Sequence, residues 1–287
     1  MSLKNIQLKE FRKYFVELIQ QASNLEGLAL TYGQTKEIVE SLEKSKQNYS
    51  WETIEVVRGI QKAYNYVNDI INSSQQITYR DAININKLID TYESKTKAGQ
   101  WRNEFVKIGG SSYAPALYTS ADYINRINHL LDNRITFDKV VKLYADMSKM
   151  QFFINGNKRT SLCFCNAILI ANDLDFIKID STNKFTDALV KYYENDKNFD
   201  RFLTLVQRSS LIRLNDILEI NDKKTKIISL LNSKLLLNNI TQSELANQVG
   251  ITKSFVNQII SGKKIPGIEI AKKIAKFLEF DWKLFYD

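Results

Sequence analysis

The chain has 287 residues, 44% of them hydrophobic and 25% charged, with a formal net charge of +8. That length suffices for two domains, and the composition is that of an ordinary globular protein, which excludes disordered, collagen-like and disulfide-scaffold classes. The longest apolar run, SLCFCNAILIA after Arg159, falls short of the ~20 residues of a membrane span, and MSLKNIQLKEF has no apolar leader. No membrane partner and a cytoplasmic setting are therefore expected.

In chain order, nearly every segment reads as helix. LKEFRKYFVELIQQ, TKEIVESLEK and WETIEVVRGIQKAYNYVNDIIN repeat apolar residues at spacings of three and four. ITYRDAININKLIDTY and SADYINRINHLLDN continue the pattern. The exception is GQWRNEFVKIGGSSYAPAL, residues 99–117. There Phe105, Val106, Lys107 and Ile108 alternate before Gly109-Gly110, the signature of a short β-hairpin or flap. TFDKVVKLYADMSK, TSLCFCNAILIAN and KFTDALVKYYEN return to helix. The polar stretch 213–226 marks a linker between a larger part, 1–212, and a small one, 227–287. His129 lies in the amphipathic YINRINHLLDN and is expected to be structural. Cys163 and Cys165 fall two apart on a helix, facing different sides, so they neither pair nor form a metal site, which suits a reducing compartment.

Residues 227–287 form a clean helical series. IISLLNSKLLLNN is the first helix. Thr241 caps a second, QSELANQVG, with Glu244 in the capping-box position, and Gly250 closes it. Thr252 caps a third, KSFVNQIISG. EIAKKIAKFLEF is a fourth, and Asp281 caps a last short one, WKLFYD. From Lys223 onward eleven lysines face five acids, a net +6. That excess fits a nucleic-acid-binding surface or a solvated lysine-rich one. ITQSELANQVGITKSFVNQIISGKKIP resembles the Xre/Cro family of DNA-binding helix-turn-helix domains over about 60 residues. The resemblance implies a five-helix, lambda-repressor-like fold with DNA as partner. It places Lys253, Ser254, Asn257 and Gln258 on the recognition helix, and Gln242, Lys263 and Lys264 against phosphates. A homodimer on a palindromic site is the associated expectation.

In the larger part, the stretch QFFINGNKRT opens the apolar helix. A Gly-containing turn at a helix start aims free N–H groups and the positive end of the helix dipole at an anion. Lys158 and Arg159 add positive charge. The loop holds no His, Cys or acid that could take a proton.

Three segments, SNLEGLALTYGQTKEI (23–38), GQWRNEFVKIGGSSYAP (99–115) and FFINGNKRT (152–160), are similar to the Fic/DOC (Fido) family. This resemblance implies an all-α core, ATP and Mg²⁺ as cofactors, and transfer of AMP, or of phosphate in the DOC branch, to a protein hydroxyl. Asn155, Gly156, Asn157, Lys158 and Arg159 would hold the nucleotide's phosphates, with Asn155 a weak Mg²⁺ candidate. Val106, Lys107 and Ile108 would align a target segment. Glu26 maps onto the family's inhibitory glutamate, where it could pair with Arg159, repel ATP unaided or position a water. The family's pattern is departed from at four positions: Gln151 stands for the catalytic His, Phe152 for Pro, Asn155 for the acid, and Leu162 for the second Arg. The reading is a nucleotide- and DNA-binding regulator with reduced or no AMP transfer. The alternative is an active adenylyltransferase, phosphotransferase or de-AMPylase.

Overall fold

The computed structural model describes residues 11–41, 49–90, 97–217 and, in the C-terminal part, 227–286 apart from 229, 233, 236, 237, 239, 279 and 281. The chain divides into two compact units, Met1–Val206 and Gln207–Asp287. The first is built from α1 (Phe15–Asn24), α2 (Tyr32–Glu40), α3 (Trp51–Ser73), α4 (Tyr79–Ile89), α5 (Ser120–Leu131), α6 (Phe137–Met150), α7 (Asn157–Ala171) and α8 (Thr182–Glu194). The helix α9 (Phe199–Ile217) contains the division, so residues 213–217 of the expected linker are helical, while 218–226 lie outside the described residues.

Local chemistry starts these helices. Thr31, Thr78 and Thr119 each form a capping box with Gln34, Asp81 and Asp122. Ser50 and Thr136 cap α3 and α6. Such caps satisfy N–H groups that the helix itself leaves unpaired, at about 1 kcal/mol each.

The centre is α7. Every residue from Arg159 to Ile170 is buried, as expected of a helix that is apolar all round. It packs against α1, α3, α4 and α6. Gly59 of α3 lets the end of α4 come close: a Cβ there would lie 2.9 Å from the carbonyl oxygens of Leu88 and Ile89. Ile89 in turn backs the turn that opens α7, 3.2 Å from where a Cβ on Gly156 would stand. Cys163 and Cys165 are both free and buried.

The expected hairpin at 99–117 is absent. Among the described residues this segment has no strand ladder, only a single antiparallel bridge from Trp101 to Phe153. Its irregular backbone is held instead by side chains. Trp101 stacks on Phe153 at 4.9 Å, and the buried Arg102 binds main-chain carbonyls on both sides.

The second unit carries α10 (Gln242–Val249), α11 (Lys253–Ile260) and α12 (Ile268–Leu278). Thr241 and Glu244 form the expected capping box, Gly250 ends α10 in the left-handed region, and Thr252 caps α11. Leu245, Val249, Val256, Ile259, Ile274 and Leu278 meet in one apolar core. The fifth expected helix is instead a short 3-10 turn, Trp282–Phe285, and its proposed cap Asp281 lies outside the described residues. Described residues between 227 and 235 are helical. No described helix in either unit is long and apolar enough to cross a membrane.

Candidate functional site

Three distant stretches of sequence meet in one cleft of about 370 Å³ in the first unit. It is lined by Leu25, Glu26 and Gly27, by Val106 to Gly109, by Gln151, and by Ile154 to Lys158. Of the residues the Fic/DOC resemblance singles out as site or flap residues, Glu26, Val106, Lys107, Ile108, Gln151 and Asn155 to Lys158 line it, and Arg159 does not. Of the flap residues, Ile108 is buried, Val106 is half-buried and Lys107 is exposed.

The geometry follows from how α6 ends and α7 begins. Gln151 terminates α6 in the left-handed region, at φ 52°. Its amide nitrogen donates to Ser148 O at 2.6 Å, and its oxygen accepts from Asn157 Nδ2 at 2.9 Å. Asn157 also clamps Phe153, accepting from its N–H and donating to its carbonyl, both at 2.8 Å. Both side chains therefore tie the loop to itself. The phosphate role expected of Asn157 leaves only its backbone N–H, at the first position of α7. Gly156, the residue before α7, sits at φ 71°, and no side chain caps this helix. Its first-turn N–H groups face the loop without the hydroxyl or carboxylate partner found at α2 to α6.

Asn155 is bonded at both ends. Its oxygen accepts from Gly156 N–H at 2.7 Å, and its nitrogen donates to Asp90 Oδ1 at 3.2 Å. Asp90, the residue after α4, is buried. The buried Asn86 completes the brace, donating to Asn155 O and Thr160 Oγ1, both at 3.0 Å, and accepting from Gly99 N–H at 2.7 Å. Neither Asn86 nor Asp90 stood out in the sequence. Their signal, an Asn and an Asp one helical turn apart at the end of an amphipathic helix, reads as a pair facing water until the partner loop is known.

Arg159 is buried, and its Nε lies 2.9 Å from Glu26 Oε1. That nitrogen makes no hydrogen bond of good geometry, so the contact is an ion pair and not an aimed bond. Of the three options for Glu26, the structure shows the pairing with Arg159. Lys158 Nζ lies 3.4 Å from Leu25 O, on the rim of the cleft.

Arg102 was also missed. It donates to the carbonyls of Glu104, Ala116, Met150 and Gln151 at 2.6–3.0 Å. One guanidinium thus ties both ends of the flap to the end of α6, where the helix dipole favours a cation.

In the second unit, Ser254, Asn257, Gln258, Ser261, Lys263 and Lys264 line one concave surface. Lys253, Ser254, Asn257, Lys263 and Lys264 are exposed, and Gln242 and Gln258 are half-buried. The N–H groups of Lys263 and Lys264 both bond Gln258 O, which draws the basic loop against the end of α11.

An all-α unit whose buried central helix opens on a Gly-Asn-Lys-Arg turn is joined to a capped helix-turn-helix; comparison with known proteins gives each its family. Residues 76–169 match the Fic/DOC family and residues 231–285 the helix-turn-helix family. The chain thus carries a Fic/DOC-family region followed by a C-terminal helix-turn-helix region. It is 24% identical over 209 residues to a protein adenylyltransferase Fic of Aedes aegypti, covering 69% of this chain and 42% of that protein. Identity to that of Culex quinquefasciatus is 23% over 201 residues, covering 67% and 40%. The chain thus spans about two fifths of the length of these relatives. Among solved structures, a Fic-1 fragment from C. elegans matches with TM-score 0.61 at 16% identity, covering 72% of this chain and 64% of that one. A Fic-domain signalling protein from Bacteroides thetaiotaomicron gives 0.55 at 18%, covering 70% and 89%. These structural likenesses establish the fold.

Proposed function

We propose that the first unit binds an adenine nucleotide in the cleft, that the second binds duplex DNA, and that the protein is a regulator with little or no AMP transfer. One observation carries the reading. At the position where the family resemblance puts a catalytic His, the cleft presents Gln151, a neutral amide held by Ser148 and Asn157. Transfer to a hydroxyl needs a group that takes its proton, and losing one typically costs about 10²–10⁴ in rate. The phosphate-facing features remain: the uncapped start of α7, Lys158 on the rim and Arg159 behind it. Val106, Lys107 and Ile108 border the same cleft and would align a protein segment there.

Glu26 limits access by its charge and by holding Arg159. Ligand binding to the native state raises the melting temperature by mass action. Millimolar ATP is expected to raise it, and Glu26→Gly to enlarge the ATP shift more than the ADP shift. No shift with either nucleotide would remove the nucleotide reading. Equal gains for ATP and ADP would assign Glu26 a role in the turn alone.

A further inference from the structure

We infer that this cleft takes the nucleotide's phosphates without a divalent cation, because the Asn155–Asp90 pair replaces the cation's carboxylate site with a closed hydrogen-bonded brace. The inference rests on the nucleotide reading above and concerns only how the phosphate charge is met.

A magnesium ion binds hard oxygen donors, usually with at least one carboxylate among them. The cleft offers Asn155 at the relevant position, and the structure shows what that amide does. Its oxygen already accepts from Gly156 N–H, and its nitrogen reaches the Asp90 carboxylate. The acid that Asn155 bonds is thus Asp90, which is buried and not among the residues lining the cleft. Among the described residues, the one carboxylate that does line it, Glu26, is paired with Arg159. Among the described residues, no group of three or more His, Cys, Asp and Glu could hold a metal ion. The donor set does not fit the cation.

The brace also explains why a simple reversion would fail. An Asp at 155 would bring its carboxylate to the place where Asn155 Nδ2 now stands, 3.2 Å from Asp90 Oδ1. Two like charges at that range in a buried setting repel strongly. Amide and acid are complementary here as a pair, and exchanging both at once preserves the hydrogen bond while turning the charge toward the cleft. Positive charge for the phosphates comes instead from Lys158 and from the start of α7.

The experiment is ATP titration of the full chain by calorimetry, in EDTA and in Mg²⁺. It is run on the wild type and on the exchange variant Asp90→Asn with Asn155→Asp. The wild type is expected to bind ATP in EDTA at least as tightly as in Mg²⁺, and the exchange variant to gain about tenfold or more from Mg²⁺. Circular dichroism melting checks that the variant is folded. Asn155→Asp alone, expected to melt lower than the exchange variant, tests the charge clash without any ligand. Binding by the wild type only when Mg²⁺ is present overturns the inference and leaves the nucleotide reading standing. Binding in neither condition overturns both. A folded exchange variant that gains nothing from Mg²⁺ overturns the assignment of Asn155 and Asp90 as the cause.

Discussion

Arg102 puts a full positive charge in the core and surrounds it with four main-chain carbonyls. Its planar fork reaches several acceptors at once, which a lysine ammonium on a single point cannot do. Arg102→Lys is therefore expected to lower stability by about 2–4 kcal/mol, since buried acceptors lose their donors. Urea unfolding measures this, and a change under about 0.5 kcal/mol would show that the carbonyls find other partners. At this scale the sequence was legible where chemistry is local. Gly156 as the turn that opens a helix, with Lys158 close behind it, could be read from their order in the chain. Asn86, Asp90 and Arg102 could not, because all their partners named above except Glu104 lie 13 to 74 positions away. Gln151 and Asn157 were legible as residues at the two ends of the turn between α6 and α7, but their mutual bond was not.

The helix-turn-helix was readable from sequence almost to the residue, because its boundaries are set by caps that lie within four positions of what they cap. Thr241, Glu244, Gly250 and Thr252 stand where the pattern put them. The flap was not. Alternation of Phe105, Val106, Lys107 and Ile108 signals extended backbone, yet it says nothing about which strand, if any, will pair with it. Here side-chain bonds from Arg102 and the Trp101 stack replace a ladder. The exposed surface of α11 and the basic loop after it give the sharper prediction for DNA. Lys264→Ala should weaken binding to all duplexes alike and flatten the salt dependence by about one unit of slope. Asn257→Ala should cost roughly 1–3 kcal/mol on a preferred site only, as a side chain reading a base edge does. Selection from a random duplex pool followed by salt titration separates the two effects. Recovery of no enriched sequence would remove the DNA reading.

For the whole molecule, the buried thiols and phenols set an alkaline limit. Burial pushes Cys163 from 9.0 up to about 12 and raises Cys165 well above its ordinary value. Tyr64 and Tyr144 are likewise raised well above 10.0 by burial. In the native state these groups keep their protons, whereas the unfolded chain releases them near the ordinary values. The stability they contribute is complete below about pH 9 and is lost as pH rises from there toward 12. Melting temperature should fall steeply above pH 9, and a flat profile up to pH 11 would show that the groups gain access to water.

One unit holds the cleft that Gln151 lines, and the other presents exposed lysines on and after α11. The central claim is that Gln151 leaves this Fic cleft able to hold a nucleotide but poor at transferring AMP. Intact-mass spectrometry of the wild type and of Gln151→His, each incubated with ATP, metal and cell lysate, tests it most directly. The account predicts no added AMP on the wild type or on any target over hours, and measurable labelling once a histidine can take the hydroxyl proton. Wild-type labelling at enzyme-like rates, about 1 s⁻¹ or more, would contradict it.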